Sequence, residues 1–416
     1  MLESPMPKVN PECYHESSSS VIAFKDCPTL YRLKYREGLR PAVDTDSQRI
    51  GTNWHEMHET YANAINSCEH PGGNAPLDPK DYALTAVVSL LNTRYEQMPA
   101  SKTSFEWGLE RQVLLTCFIG YLWYYQDDPI ETLASEIPFE LPLHEPRTGL
   151  PLLMREVVRV GKIDHLIMWQ GMIGVQERKS TTRSIDHDSD YWDKAKKDTQ
   201  VSMYALAFRD MMAAGCVPPD IATRIAMSGR QGRVGSTLYD VWRRPTIKPA
   251  KLTQAETEAF LNSGTYCGQT FRTTYSTDSE GKLASVKVDD EEAEFEVGKS
   301  GKPAIRETIG MFGARLLADI YERPEHYYVR REIARTDQEI RKFRVELYNI
   351  YQAKRIFART GCWYENERQC RATRACDMIP ICYGPGADAV CDGVTVPPGF
   401  VRIFADPKQK EIVADE

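Results

Sequence analysis

The chain of 416 residues carries 52 lysines and arginines against 59 aspartates and glutamates, giving a formal net charge of −7, and 42% of its residues are apolar. This composition is typical of globular proteins, leaves room for about two to four domains and argues against long disorder. The acidic balance argues against a protein that coats nucleic acid by charge alone, while permitting an enzyme with a local basic channel. We find no run of about 18 uncharged apolar residues and therefore expect no membrane span.

The N-terminus and the cysteines predict the compartment. Residues 1–5 (Met-Leu-Glu-Ser-Pro) lack a basic region followed by an apolar one, so we expect no secretory signal and a cytoplasmic protein. The 11 cysteines are odd in number, and a disulfide framework is a poor interpretation in a reducing compartment. Clustered cysteines in such a protein indicate metal binding or catalysis.

The N-terminal third is predicted to be mainly helical. After a flexible tail over residues 1–18, the region 19–130 contains a helix leading up to Asp26 and another that begins at Pro28, a residue suited to the first helical position. Further helices are predicted over about 49–66, 80–98 and 106–127.

Strand patterns begin after residue 130 and define a core over 131–246. Glu136–Leu143 alternates, with prolines at positions suited to an edge strand. Two β-rich segments, Val157–Trp169 and Met172–Lys179, flank Gln170 and Gly171, which read as a two-residue hairpin turn.

The rest of this core is predicted to hold one helix and more strands. The helix covers about 195–214 and ends at Gly215, and the strands fall within 221–246, interrupted by a glycine-rich turn at 229–235.

The C-terminal part divides into three regions: an insertion at 247–305, helices with a cysteine-rich segment at 306–391, and a tail at 392–416. Within the insertion, the acidic stretch 276–303 is predicted to be a solvated loop. Thr336 and Glu339 have capping-box spacing, and they begin a long amphipathic helix. The order of elements predicts an α/β fold with a central mixed sheet flanked by helices.

The predicted hairpin brings two carboxylates together. If Gln170 and Gly171 form the turn, cross-strand partners have numbers summing to 341, as Asp164 and Glu177 do. Their Cβ atoms would be about 4.5–5.5 Å apart, and Lys179 would share their face. A divalent cation such as Mg²⁺ or Mn²⁺ would explain such a pair. On the hairpin alone, a solvated surface with scattered charges is the simpler interpretation.

Further motifs favour a metal site over a solvated surface. Gln200 and Tyr204 lie four residues apart on one face of the following helix. Gly51, Thr52 and His55 open an earlier helix, while His58 and His165 are interpreted as structural.

Taken together with Cys27-Pro28, these motifs resemble the RecB-type branch of the PD-(D/E)XK nuclease superfamily in type and in order. Gly161–Asp164 (Gly-Lys-Ile-Asp) matches its first acidic motif and Glu177–Lys179 (Glu-Arg-Lys) its second. Within the branch the chain is most similar to phage or prophage members, on the strength of Leu238–Pro245, of Arg323-Pro324 with Tyr327-Tyr328, and of the terminal cysteines.

The resemblance implies a metal-dependent DNA nuclease that acts in phage recombination or DNA processing inside a bacterial host. Between exonuclease and endonuclease, an exonuclease is the preferred interpretation. The implied ligands of Mg²⁺ or Mn²⁺ are His55, Asp164, Glu177 and the backbone carbonyl of Arg178. Lys179 would position the attacking water, and Gln200 and Tyr204 would support the site or contact the DNA backbone. A recombinase, a single-strand-annealing protein or a helicase would be a separate chain. Glu136 is interpreted as an ordinary edge-strand charge, with a supporting role at the site as the alternative.

The cysteine cluster implies a second cofactor. Cys370, Cys376 and Cys382 are separated by five residues each. In the resembled group they would hold a [4Fe-4S] cluster with an N-terminal cysteine, which is Cys27 here. Zinc is the alternative metal, although structural zinc sites more often use pairs two to four residues apart. Cys362 is the alternative to Cys27 as the fourth ligand.

Two other function classes remain as alternatives. One is a non-catalytic nucleic-acid-binding or assembly protein that keeps a nuclease fold, and the other is a zinc-binding structural module. A helicase–nuclease in one chain is excluded, because Gly298-Lys299-Ser300 lacks the phosphate-loop glycine at the position where Ala293 stands.

Overall fold

The computed structural model describes residues 13–43, 45–69, 78–128, 130–227, 234–279, 283–298, 301–372 and 375–403. The helices, numbered in chain order, are α1 (Ser18–Asp26), α2 (Pro28–Tyr31), α3 (Asp46–Glu69), α4 (Pro79–Arg94), α5 (Ser104–Tyr124), α6 (Tyr191–Ala195), α7 (Thr199–Ala214), α8 (Pro219–Met227), α9 (Gln254–Ser263), α10 (Ile309–Glu322), α11 (Asp337–Thr360) and α12 (Ile379–Cys382). The strands are β1 (Tyr14–Glu16), β2 (Leu39–Pro41), β3 (Glu131–Pro142), β4 (Val157–Trp169), β5 (Met172–Thr181), β6 (Val234–Arg243), β7 (Thr265–Tyr266), β8 (Gln269–Thr270), β9 (Thr273–Thr277), β10 (Leu283–Val288), β11 (Glu291–Glu292), β12 (Phe295–Val297), β13 (Pro303–Ile305), β14 (Tyr328–Ala334) and β15 (Phe400–Arg402).

A mixed sheet of six strands lies at the centre of the fold. Its order is β1-β4-β5-β6-β14, and β3 pairs with β4 as an additional edge strand. The pairs β1–β4 and β5–β6 are parallel, and the other neighbours are antiparallel. The predicted α/β fold with a helix-flanked mixed sheet is confirmed.

The β4–β5 hairpin has the predicted turn and register. Gln170 and Gly171 have φ angles of 45° and 79°, which suit a two-residue turn that matches the twist of the strands. The ladder runs from Trp169–Met172 to His165–Gln176, and each pair sums to 341. Asp164 and Glu177 occupy the next position, where β5 continues alongside β6.

Helices cover both faces of the sheet, because alternate residues of its strands point to opposite sides. Ile173 and Val175 of β5 pack in one core with Leu206 and Phe208 of α7. On the other face, Trp242 of β6 stacks on Trp54 of α3 at a centroid distance of 4.0 Å. The helices α3 and α7 therefore flank β5 from opposite sides.

The long C-terminal helix begins as predicted. The backbone N–H of Thr336 donates to Glu339 Oε2 at 2.8 Å, and the Glu339 N–H donates to Thr336 Oγ1 at 3.2 Å. Its apolar stripe is buried, including Phe343 and Leu347. Gly361 ends the helix with a φ of 69°, a conformation that glycine adopts at little cost.

Both predicted tails, the flexible one over 1–18 and the one over 392–416, contain a short strand within the residues that the structure describes. Tyr14–Glu16 is a sheet strand parallel to β4, and Phe400–Arg402 pairs with β2. Both strands have only three residues. The partner of β1 is more than 140 positions away in the chain and that of β15 more than 350, so no local pattern indicates these strands. Residues 1–12 and 404–416 lie outside the described residues.

Two interpretations of the middle region also need correction. Residues 221–227 belong to α8 rather than to a strand, because Ile221 and Ile225 have the helical spacing of four and are both buried. The segment 276–303 is not a simple solvated loop, because it contains short strands whose Val286 and Val288 are buried against α9 and α10. Of the predicted 229–235 turn, residues 229–233 lie outside the described residues, as do Lys299 and Ser300.

Across the described ranges, none of the helices is both long enough and apolar enough to cross a bilayer.

Candidate active site

The predicted catalytic side chains meet where the pairing of β4 with β5 ends and β5 continues beside β6. Glu177 is fully buried, and the ammonium of Lys179 lies 2.6 Å from its Oε1. The same ammonium donates a hydrogen bond to Gln200 Oε1 at 2.5 Å. Glu177 and Lys179 share the β5 face that is turned towards α7, because they are two residues apart on a strand.

Helix α7 supplies the opposite wall of the site. Asp198 caps its N-terminus and accepts a hydrogen bond from the Gln200 N–H at 2.8 Å, which fixes the start of the helix. Gln200 Nε2 donates to the Tyr204 hydroxyl at 2.9 Å, and that hydroxyl donates to Asp164 Oδ1 at 3.2 Å. Polar contacts thus connect Glu177, Lys179, Gln200, Tyr204 and Asp164 in one chain.

Helix α3 approaches the site from the other side of β5. A Cβ atom on Gly51 would lie 3.8 Å from Ser180 Oγ, so the helix passes close to the strand at this point. One turn further on, the ring of His55 hydrogen-bonds to the backbone of Arg178. Burial, with the nearby cations of Lys179 and Arg178, lowers the pKa of His55 to about 4. The ring is therefore neutral at pH 7 and keeps a lone pair that can bind a metal.

Burial disfavours the charged form of both carboxyl groups. Burial raises the pKa of Glu177 to about 8, with a further contribution from Asp164 and an opposing one from Lys179. Burial also raises the pKa of Asp164, against the effects of Lys179 and of the Tyr204 hydrogen bond.

The oxygens of Glu177 provide a test of whether a metal fits this site. Both are buried: the Lys179 ammonium lies 2.6 Å from Oε1, and no donor among the described residues bonds to Oε2. A buried carboxylate oxygen without a hydrogen bond is costly, and a divalent cation with a preference for oxygen ligands would remove that cost. The donor set of two carboxylates, a neutral imidazole and a backbone carbonyl fits Mg²⁺ or Mn²⁺.

Glu136, on the edge strand β3, lies next to the site. It has a φ of 54° and stands between the pairs Ser135–His165 and Ile137–Ile163, opposite Asp164. Its carboxylate forms an ion pair with Lys162, and its charge raises the pKa of the nearby His55.

Sequence reasoning missed a buried network beneath the site, centred on Asp240. This carboxylate accepts hydrogen bonds from Tyr121 and, at 2.8 Å, from Gln176, and it forms an ion pair with Arg330 at 3.2 Å. The Arg178 side chain lies 3.9 Å from Asp240, so the network fixes the strand segment whose carbonyl faces His55. The sequence signal for this network was Asp240 itself, a lone aspartate among the apolar residues of β6.

His58 and His165, which the sequence analysis interpreted as structural, are both buried. His58 is enclosed by aromatic rings, with the ring of Tyr121 at a centroid distance of 4.6 Å. His165 contacts the Ser135 hydroxyl at 2.9 Å and the Arg178 side chain. Burial lowers the pKa of both histidines well below the usual range.

The predicted cofactor cysteines surround one cavity of about 230 Å³, which all four of them line (Cys27, Cys370, Cys376 and Cys382). The Asn366 N–H donates to Cys27 Sγ at 3.4 Å, which ties the N-terminal helices to the C-terminal segment. Burial raises the pKa of Cys376 and raises that of Cys382 to about 12. Thiolates would form there on binding a soft metal centre, for which cysteine sulfurs are suitable ligands. Cys362 is exposed and does not line this cavity.

Within the described ranges, no three histidine, cysteine, aspartate or glutamate side chains are close enough together to enclose a metal ion. At the first site Lys179 and Tyr204 contact the two carboxylates, and at the second the cysteines stand apart around a cavity. Metal binding at either place would require these side chains to move towards each other.

Comparison with models of protein families gives a match over most of the chain. The model of the PD-(D/E)XK nuclease superfamily matches residues 15–383, which include every predicted site residue. No curated protein and no solved structure matches the chain. Since the family model covers most of the chain and the mixed sheet has the expected arrangement, the chain belongs to the PD-(D/E)XK nuclease superfamily.

Proposed function

We propose that this protein is a divalent-metal-dependent deoxyribonuclease that hydrolyses phosphodiester bonds. Its proposed ligands for Mg²⁺ or Mn²⁺ are His55, Asp164, Glu177 and the backbone carbonyl of Arg178. The observation that carries the proposal is the fully buried Glu177, whose Oε1 lies 2.6 Å from the Lys179 ammonium and whose Oε2 has no hydrogen-bond donor among the described residues. Buried carboxyl groups with a raised pKa and a charged partner are typical of functional sites.

The proposed reaction is the hydrolysis of a phosphate diester. A water oxygen attacks phosphorus, one phosphorus–oxygen bond to a sugar breaks, and the released sugar oxygen takes a proton. A bound divalent ion would lower the pKa of the attacking water and neutralise charge on the phosphate.

The side chains of the site have separate parts in this proposal. Lys179 has a side chain that is 30% exposed, so its ammonium can reach a substrate phosphate and orient the attacking water. Gln200 holds that ammonium in place, and Tyr204 holds Asp164 through its hydroxyl. The capped start of α7 fixes the position of Gln200.

The test is cleavage of end-labelled linear single-stranded, linear duplex and circular DNA with Mg²⁺, with Mn²⁺ and with a chelator. We expect cleavage of linear DNA that depends on the metal and is lost in Asp164→Asn, a substitution that keeps the shape of the side chain. Asp188→Asn is the matched control, because Asp188 is exposed and its carboxylate contacts the neighbouring His187. Equal cleavage by parent and Asp164→Asn, after exclusion of contaminants, would refute the site.

The same assay addresses the finer proposals. We propose that the protein is an exonuclease of the RecB-type branch with a role in phage DNA recombination or processing. Release of short products from linear DNA, with circular DNA left intact, would support an exonuclease, and cutting of circles would contradict it. DNA binding without cleavage under every metal condition would favour the alternative, a non-catalytic protein that keeps the nuclease fold.

We further propose that Cys27, Cys370, Cys376 and Cys382 hold a [4Fe-4S] cluster, with zinc as the alternative metal. The common cavity supports this set of four over one that includes the exposed Cys362. The cluster would be structural. It would join Cys27 to the C-terminal cysteines and so reduce the conformational entropy of the unfolded chain.

Purification under anaerobic conditions tests the cluster. We expect brown protein containing iron and sulfide, a colour that Cys27→Ser removes and that Cys362→Ser, the matched control, leaves unchanged. Colourless protein with stoichiometric zinc would exclude the iron assignment. Unchanged metal content in both Cys27→Ser and Cys376→Ser would exclude the shared site.

A further inference from the structure

Arg244 stands directly after β6, beside the end of β5. Its backbone N–H donates to the Thr181 carbonyl at 2.7 Å, two residues beyond Lys179. Asp240 and Trp242 point towards α3 and α5, and the alternation of side chains places Arg244 on that face as well. Its guanidinium accordingly lies at the beginning of α3, where Nη1 donates to Ser47 Oγ at 3.1 Å.

This guanidinium has no anionic partner among the residues that the structure describes. Its Nε is buried without a hydrogen bond, and no carboxylate forms an ion pair with it. Glu110 is the nearest opposite charge to influence it, but Arg49 already binds both Glu110 oxygens, at 2.9 and 2.8 Å. A half-buried cation without a counter-ion among the described residues is costly, and a bound anion would remove that cost.

The position of Arg244 relative to the active site follows from α3. Ser47, Gly51 and His55 are spaced by four residues and form one row along the helix. Gly51 packs against Ser180 and His55 contacts the backbone of Arg178, so the row follows β5 into the site. Eight residues of helix separate Ser47 from His55, a distance of about 12 Å.

We propose that Arg244 binds a backbone phosphate of the DNA strand on one side of the scissile phosphate, an assignment that rests on the proposed nuclease function. A guanidinium presents paired N–H donors that match two phosphate oxygens, and it remains charged when it is partly buried. Arg244 would therefore position the substrate strand along α3 without taking part in the chemical step.

Binding of fluorescent linear single-stranded and duplex oligonucleotides, measured over a series of salt concentrations, tests this role. The measurements use the Lys179→Ala background, so that DNA is not cut. We expect Arg244→Ala to raise the Kd about tenfold at low salt, as for the loss of one charged hydrogen-bonding group. The slope of log K against log salt should fall by about 0.7–0.9, the value for one phosphate contact.

Two further variants distinguish the effect of the Arg244 charge from the effect of its shape and from a loss of folding. Arg244→Lys should keep the salt slope and lose part of the affinity, because a lysine retains the charge without the paired donors. Arg272→Ala is the matched control, because Arg272 is exposed and already paired with Asp290, and it should change neither quantity. Thermal unfolding of each variant shows whether the fold is retained, and Arg244→Gln replaces the alanine variant if that variant does not fold.

The outcomes distinguish this inference from the function on which it rests. If the parent protein neither binds nor cuts DNA, the proposed function fails. If the parent binds and cuts DNA while Arg244→Ala and Arg244→Gln match the Arg272→Ala control in Kd and salt slope, only the role of Arg244 is overturned.

Discussion

Two glutamate–lysine pairs in the described part of the chain have a buried glutamate and the same separation between nitrogen and oxygen. Lys354 Nζ lies 2.6 Å from Glu16 Oε2, and Lys179 Nζ lies 2.6 Å from Glu177 Oε1. Both glutamates are fully buried, and burial raises the pKa of each. Distance and residue type therefore do not distinguish the two pairs.

Their surroundings differ. Lys354 is fully buried, donates a hydrogen bond to Glu16, and lies 3.9 Å from the centre of the Tyr31 ring. Lys179 remains 30% exposed, donates to Gln200 rather than to Glu177, and faces a second carboxyl group. The first pair joins β1 to α11 in an enclosed core, and the second is open to ligands. Glu16 also keeps one buried oxygen without a hydrogen bond among the described residues, so exposure of the lysine and a second carboxyl group distinguish the proposed catalytic pair from the enclosed one.

The largest expected effect is the loss of the enclosed pair. Lys354→Met should lower the free energy of unfolding by about 3–5 kcal/mol, because it leaves Glu16 buried without its counter-charge. Urea unfolding followed by circular dichroism measures this change. The double variant Glu16→Gln with Lys354→Met should recover part of the loss, and a single variant as stable as the parent would contradict the comparison.

Replacement of the open pair's lysine should affect catalysis more than stability. Lys179→Ala is expected to slow DNA cleavage by about 10²–10³-fold, the usual consequence of removing one group that stabilises developing charge. Its unfolding free energy should fall by less than that of Lys354→Met, because the Lys179 side chain is 30% exposed whereas that of Lys354 is fully buried. Initial cleavage rates and urea unfolding of the same preparations check both statements, and Lys179→Ala that cuts at the parent rate would remove Lys179 from the site.

His55 offers a way to sharpen the assignment of metal ligands. His55→Ala should raise the Mg²⁺ concentration needed for half-maximal cleavage by about 10–100-fold, since a ligand is lost. The matched control is His58→Ala, which removes a histidine from the adjacent turn of α3 but from an aromatic enclosure. That control should lower the melting temperature while the metal requirement stays the same. The reverse pattern would make His55 the structural histidine.

The smallest effect is expected for an exposed pair of the same type. Lys251 and Glu296 are 2.9 Å apart with side chains 44% and 59% exposed. Lys251→Ala should change the free energy of unfolding by about 1 kcal/mol or less and leave cleavage unchanged, because solvent screens such pairs. Thermal melting and the cleavage assay provide the check, and a loss comparable with that of Lys354→Met would show that exposure does not rank these pairs.

Much of the fold and of the candidate site could be predicted because the signals are local. The register that places Asp164 beside Glu177 follows from a two-residue turn, and the spacing of Gln200 and Tyr204 follows from a helical turn. The short strand β1 and the helix α8 were not predicted correctly, because three residues or a single pair of isoleucines carry little periodic information.

The sequence by itself determined the order of the motifs, the hairpin register and the capping of the long helix, since each depends on residues within one or two elements. Only the tertiary structure decided that Glu16 meets Lys354, that Asp240 supports the strand behind the site, and that Arg244 faces Ser47. These contacts join residues that are far apart in the chain. Their geometry depends on how helices pack on both faces of the sheet, which no local pattern encodes.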